Sequence, residues 1–141
     1  LYPAQNDYQK RMRANSEKVQ NHIGSIPIEK TKYMISLVPE GKNYKALPEE
    51  YQGIYKYHEA LTRYHSKKPS NTINTGHRSH FHYKWNRIPT VRESARLQSF
   101  PDDFIFYGNK SEQYRQVGNA VPPVLGQVVA EALLPYLKDG E

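Results

Sequence analysis

The sequence contains no cysteine, two methionines and one tryptophan in 141 residues. Without cysteine there is no disulfide, no thiolate metal site and no sulfur nucleophile in this chain. The expectation is a protein of a reducing cytoplasm. Long apolar runs are also missing. No segment reads as a bilayer span or as the apolar core of a signal peptide, so no membrane partner is expected. Hydrophobic residues make up 37% of the chain, and the mean hydropathy is −0.88. Such a composition supports only a modest core, one that gains from a partner surface. The chain begins at Leu1, which suggests that it does not start at a natural start codon.

Positive charge is what the sequence has in excess. Twenty Lys and Arg against fourteen Asp and Glu give a formal net charge of +6. A basic balance points first to nucleic acid, and equally fits a mildly basic surface. Arg11, Arg13, Lys30, Lys32, Lys67 and Lys68 read as solvated surface, some of which faces phosphate if the partner is DNA. Three histidines, His77, His80 and His82, lie close together, but with no nearby carboxylate or thiolate no metal site is expected. His77 to Arg87 interleaves basic and aromatic residues. It reads either as a loop approaching DNA or as a connector anchored by Tyr83 or Trp85. Twelve tyrosines, Tyr51, Tyr55, Tyr57 and Tyr64 among them, suit half-buried packing.

The segments read as follows. Tyr8, Met12 and Val19 suggest a weak first helix, followed by a loop over Asn21–Pro27. Tyr33–Val38 is the best strand candidate, ended by the Pro39–Asn43 turn. A helix is expected from Leu47 towards Leu61, and an edge strand at Thr72–Thr75. Thr90 and Glu93 have capping-box spacing ahead of a helix that Pro101 stops. Ser111 is placed to cap a second helix, closed by Gly118. Pro122 and Pro123 open a third. Its apolar set, Val121, Leu125, Val128, Val129, Ala132, Leu133 and Tyr136, is widened by Val124 and Leu134, so it should be buried on more than one side.

The stretch from Arg87 to Phe104, RIPTVRESARLQSFPDDF, resembles the ninth motif of the DNA (cytosine-5)-methyltransferases. The stretch from Gln116 to Pro123, QVGNAVPP, resembles their tenth. Two long motifs in order and in register carry far more weight than one short pattern. Upstream, Asn21-His22, Val38–Gly41 and Lys68–Ser70 are more loosely similar to the family's variable target-recognition region.

The resemblance implies an α+β chain. Residues 1–86 would form a loop-rich recognition lobe, and 87–141 the helices that dock on a Rossmann-like catalytic domain. It implies double-stranded DNA and a catalytic domain or large subunit as partners, and S-adenosyl-L-methionine as a cofactor held mainly by that domain. It places Asn119, Ala120 and Val121 at the cofactor pocket. Arg78, Lys84, Arg87, Arg92 and Arg96 are the candidate DNA contacts. For Arg92 and Arg96 a structural role weighs as much as a phosphate contact. Asn119 can equally be a helix N-cap. The family's nucleophile is a cysteine in a Pro-Cys segment, so no catalytic residue is expected here and the chain alone should be inactive. In that chemistry the target base is flipped out, and a thiolate adds to C6 before C5 takes the methyl group. A bacterial restriction-modification enzyme is the implied setting. A stand-alone, non-enzymatic DNA-binding module is the competing reading, and a purely structural fragment is a third. Self-association through the last helix is a further expectation.

Overall fold

Two hydrophobic clusters organise the chain, and Ile88 packs against both. The computed structural model describes residues 3–55, 60–76 and 79–138. Among these the architecture is mostly helical: α1 (Asp7–Arg13), α2 (Glu29–Ser36), α3 (Glu49–Gln52), β1 (Thr62–Arg63), β2 (His80–Phe81), α4 (Val91–Leu97), α5 (Lys110–Asn119) and α6 (Pro123–Lys138). The two short strands pair in parallel, Thr62 with His80 and Arg63 with Phe81. The expected α+β class holds, with less strand than the recognition lobe was read to have.

The first cluster buries Met34, Ile35, Val38, Leu47, Leu61 and Phe81. Tyr33–Val38, expected as a strand, is instead the end of α2 and its exit. The reason is visible in which side chains are buried. Met34, Ile35 and Val38 face inward while Tyr33 and Ser36 are exposed, a spacing that suits one helical face and no strand. The helix expected from Leu47 to Leu61 is a single turn, α3. Its middle, 56–59, lies outside the described residues, and Leu61 takes a left-handed backbone (φ 51°) that no helix continues through.

The second cluster buries Val91, Ala95, Phe100, Phe106, Tyr114 and Val117. Thr90 starts α4 with the expected capping box: its hydroxyl accepts from the Glu93 N–H (3.1 Å), and the Glu93 carboxylate accepts from the Thr90 N–H (2.7 Å). The α5 helix begins earlier than expected. Asn109 is its cap, in a second capping box with Glu112, and Ser111 lies inside the helix.

Gly118 does not close α5 but sits within it. A Cβ there would lie 2.6 Å from the backbone of Asn74 and Thr75. The expected edge strand at Thr72–Thr75 is absent. That segment is an irregular chain pressed against α5, with Ile73 packed on the second cluster.

The N-terminal segment crosses to this half of the molecule. Asp102 N–H donates to the Met12 carbonyl (2.7 Å), and Arg92 N–H donates to the Asn21 carbonyl (3.0 Å).

The last helix, whose wide apolar stripe reads as buried on more than one side, is uncovered within this chain, in keeping with a helix expected to dock or self-associate. Leu125, Val128, Val129, Leu133, Leu134 and Tyr136 are all at least half exposed, and none of residues 123–137 is buried within this chain. By length and composition alone, Lys110–Leu137 would suffice to cross a bilayer. Its backbone is not one rod. Ala120 leaves α5 in an extended conformation, and the 16 residues of α6 span about 24 Å, short of a hydrocarbon core of roughly 30 Å.

Candidate nucleic-acid interface

The basic-aromatic stretch after β2 folds into a closed loop. His82 N–H donates to the Arg87 carbonyl (2.9 Å), and Arg87 N–H donates to the Trp85 carbonyl (2.8 Å). At its tip Lys84 is exposed, with Nζ 5.0 Å above the Trp85 ring. Arg78 and His77 lie outside the described residues.

From beneath, the buried Arg63 of β1 fixes the loop. Its guanidinium donates to Asn86 Oδ1 (2.6 Å), the Tyr83 carbonyl (3.4 Å) and the Ile35 carbonyl (2.6 Å). Sequence reading missed Arg63, because one arginine beside a short strand carries no pattern until the loop folds over it.

Arg87 closes the loop onto α4. Two of its nitrogens bind the Glu93 carboxylate at 2.7 and 2.8 Å. Burial pushes the Glu93 carboxyl up. The hydrogen bonds from Arg87 and Thr90, with the nearby Arg87 and His82, outweigh this and hold it below its ordinary value. Arg87 is thus already paired, though a quarter of its side chain remains exposed.

Arg92 lies inside the protein with 0% of its side chain exposed. It donates to the carbonyls of Gln20 (3.1 Å), Pro101 (2.8 Å) and Phe104. A guanidinium so enclosed presents no surface to a phosphate, so of its two sequence readings the structural one is what the geometry supports. Arg96 forks onto the buried Asp102, with Nε to Oδ1 at 2.8 Å, and keeps about a quarter of its side chain exposed.

The four arginine and lysine candidates among the described residues therefore do not form one face. Lys84 projects, Arg87 and Arg96 are paired and half-buried, and Arg92 is internal.

One cleft borders the loop, and a second shares His65 and Lys68 with it. The first, of about 560 Å³, is lined by Tyr8, Arg13, Lys68, His82, Tyr83 and Arg96. The other, of about 580 Å³, is lined by Lys42, Lys45, Arg63, His65 and Lys68. Lys68 borders both. From the sequence Lys42 reads only as part of the Pro39–Asn43 turn, and Lys45, in the short helical turn Tyr44–Ala46, is not singled out. Folding brings them to the same cleft as Lys68.

Asn119, Ala120 and Val121 lie at the junction of α5 and α6. Asn119 ends α5 and does not cap α6. The Val124 N–H at the start of α6 donates instead to Ser99 Oγ (3.1 Å), from a residue held at φ 60°. Asn119 and Val121 are exposed. Together the three form an open strip with one amide and one apolar side chain.

The model of the family described as C-5 cytosine-specific DNA methylase matches residues 3–134. The Type II methyltransferase M1.HphI of Haemophilus parahaemolyticus is 50% identical over 100 residues, covering 71% of this chain and 27% of that protein. M.NgoFVII of Neisseria gonorrhoeae is 40% identical, over 79% of this chain and 31% of its own length. M.DdeI of Desulfomicrobium norvegicum is 32% identical, over 98% of this chain and 38% of its own. The chain thus spans between about a quarter and two fifths of these relatives. A match from residue 3 to residue 134 takes in both clusters, the Lys84 loop and most of α6, and on that ground the chain belongs to the C-5 cytosine-specific DNA methylase family.

Proposed function

We propose that this chain is the target-recognition and C-terminal part of a DNA (cytosine-5)-methyltransferase of a restriction-modification system. It carries the ninth and tenth motifs, binds double-stranded DNA through the Lys84 loop and the two clefts, and completes an active site whose cysteine belongs to a catalytic domain. The observation that carries this reading is the uncovered apolar face of α6, which continues directly from the Asn119–Val121 strip. An apolar surface of this kind marks a docking site. A Rossmann-like catalytic domain seated there would cover α6 and close the cofactor site. S-adenosyl-L-methionine would supply the methyl group. From this chain, the Asn119 amide would offer a hydrogen-bonding group and Val121 an apolar contact. The domain division is 1–86 and 87–141, with residues around Met12 and Asn21 bonded across it.

A stand-alone DNA-binding module accounts for the lysine-lined clefts but leaves the exposed α6 face unexplained. The test is reconstitution. The chain is combined with a cysteine-bearing N-terminal catalytic part, and transfer of labelled methyl groups to duplex DNA is measured. The expected result is transfer by the pair and by neither part alone. Transfer by this chain alone, or none by a folded pair, overturns the reading.

A further inference from the structure

The Lys84 loop is held shut by a lone pair. His82 Nδ1 accepts from the N–H groups of both Lys84 (3.0 Å) and Trp85 (3.1 Å). A nitrogen facing two donors carries no proton, so the ring is neutral with its hydrogen on Nε2. That nitrogen faces Glu93 Oε1 at 3.9 Å. The Tyr83 ring stacks on the imidazole, and only 14% of the His82 side chain is exposed. The placement of Lys84 and Trp85 therefore depends on the unprotonated form of a titratable side chain.

We propose that His82 is a positioning residue whose neutral imidazole clasps the Lys84–Trp85 turn in the shape that meets DNA, and whose protonation releases that turn and weakens DNA binding. The proposal rests on the reading of Lys84 as a DNA contact. Protonation at Nδ1 would set a third donor against the two main-chain N–H groups. The charged groups around the ring are Glu93 on α4, Arg63 on β1, and Arg87 and Lys84 in the loop itself. Burial disfavours the imidazolium most, the three cations add to that, and Glu93 alone opposes them, so the His82 pKa lies below its ordinary value. The sign follows. The clasp is fully formed above about pH 6.5, the ordinary histidine value, and opens as pH falls through the lower folded value.

The experiment uses three variants and two readouts. His82→Asn restores a non-titrating acceptor, because an Asn side-chain oxygen accepts from the N–H groups that follow it in an Asx turn. His82→Phe keeps a ring and removes the acceptor. Lys84→Ala tests the DNA contact itself. Trp85 is the single tryptophan, so its emission between pH 5 and 8 reports the turn without DNA. Affinity for a duplex at low salt is measured over the same range. In the unsubstituted chain both signals should move together on acidification, with affinity falling roughly tenfold as the acceptor is lost. His82→Phe should show the weakened affinity at every pH. His82→Asn should rescue it and flatten both profiles. The proposal is overturned if His82→Asn titrates like the parent, or if His82→Phe matches the parent in both signals at neutral pH. A Trp85 profile that His82→Asn flattens, with DNA affinity indifferent to pH and to Lys84→Ala, supports the clasp and overturns the DNA-contact reading.

Discussion

Arg92 and Asp102 approach to 3.9 Å with neither side chain exposed to solvent. Asp102 also takes the Arg96 guanidinium, and Arg92 binds three main-chain carbonyls from Gln20, Pro101 and Phe104. The pair therefore joins the N-terminal segment to α4 and to the turn after it. Removing Asp102 strands the Arg92 charge in the interior, which costs about 3–5 kcal/mol, whereas removing Arg92 leaves Asp102 paired with Arg96 and three carbonyls without their donor. Asp102→Ala should lower the urea unfolding midpoint by that equivalent, and Arg92→Ala should lower it as well, because each buried carbonyl left unsatisfied costs about 1–3 kcal/mol. Arg92→Lys should recover little, since an ammonium cannot reproduce the planar fork that reaches separate carbonyls. Unfolding curves unchanged by Arg92→Ala would show that the arginine is not structural and return it to the list of DNA contacts.

Gly118 pits two effects against each other. Alanine in mid-helix is favoured over glycine by about 1 kcal/mol. Here its Cβ would meet the Asn74 carbonyl and the Thr75 nitrogen at 2.6 Å, and both are backbone atoms that cannot swing aside. Overpacking of this kind typically costs about 1–3 kcal/mol. The net expectation for Gly118→Ala is a lower melting temperature. A rise would show that Asn74–Thr75 does not lie on α5.

These two sites show what the sequence made legible. Local rules succeeded where a few neighbouring residues decide the outcome. Thr90 and Glu93 cap α4 as their spacing implies, and Pro123 opens α6. They failed where distant partners decide. Met34, Ile35 and Val38 form a helical face because the first cluster covers them, although the run Tyr33–Val38 is rich in strand-forming residues. Gly118 read as a helix stop because nothing in the sequence announces the Asn74 backbone above it. Of the two readings of Asn119, cofactor contact and helix cap, the cap fails, because the amide at the start of α6 finds Ser99, 25 residues earlier. The candidate site divides in the same way. Its motifs were readable, while the burial of Arg92 and the anchoring by Arg63 required the fold.

The exposed face of α6 leads to a third expectation. Leu125, Val128 and Leu133 are each more than half exposed, and apolar surface in this amount seeks cover. At rising concentration the chain should self-associate, as followed by sedimentation. Leu125→Asp with Val129→Asp should keep it monomeric and should also prevent assembly with a catalytic domain. Persistent monomer in the unsubstituted chain, together with unimpaired assembly of the double variant, would remove α6 as the docking face.

The last expectation concerns acid. Glu93 links three parts of the site: Arg87 at the end of the Lys84 loop, the Thr90 N–H at the start of α4, and His82 at 3.9 Å. Its pKa lies below the ordinary glutamate value because those hydrogen bonds and charges outweigh burial. A depressed carboxylate adds stability above its unfolded value, about 4.3, and that contribution is lost as pH falls through the folded value. His82 acts at higher pH, so the experiment is done in the His82→Asn background to leave the glutamate alone. Denaturation midpoints measured from pH 7 to pH 3 should fall steeply only below about pH 4.5. Glu93→Gln keeps an acceptor for the Thr90 N–H and loses the charge that Arg87 binds. It should be less stable at pH 7 by roughly 1–2 kcal/mol, and its profile should be flatter below pH 5. The two curves should converge in strong acid, where the parent glutamate is also neutral. If they instead run parallel over the whole range, the ionised carboxylate contributes nothing that the amide lacks, and the loop is joined to α4 by shape alone.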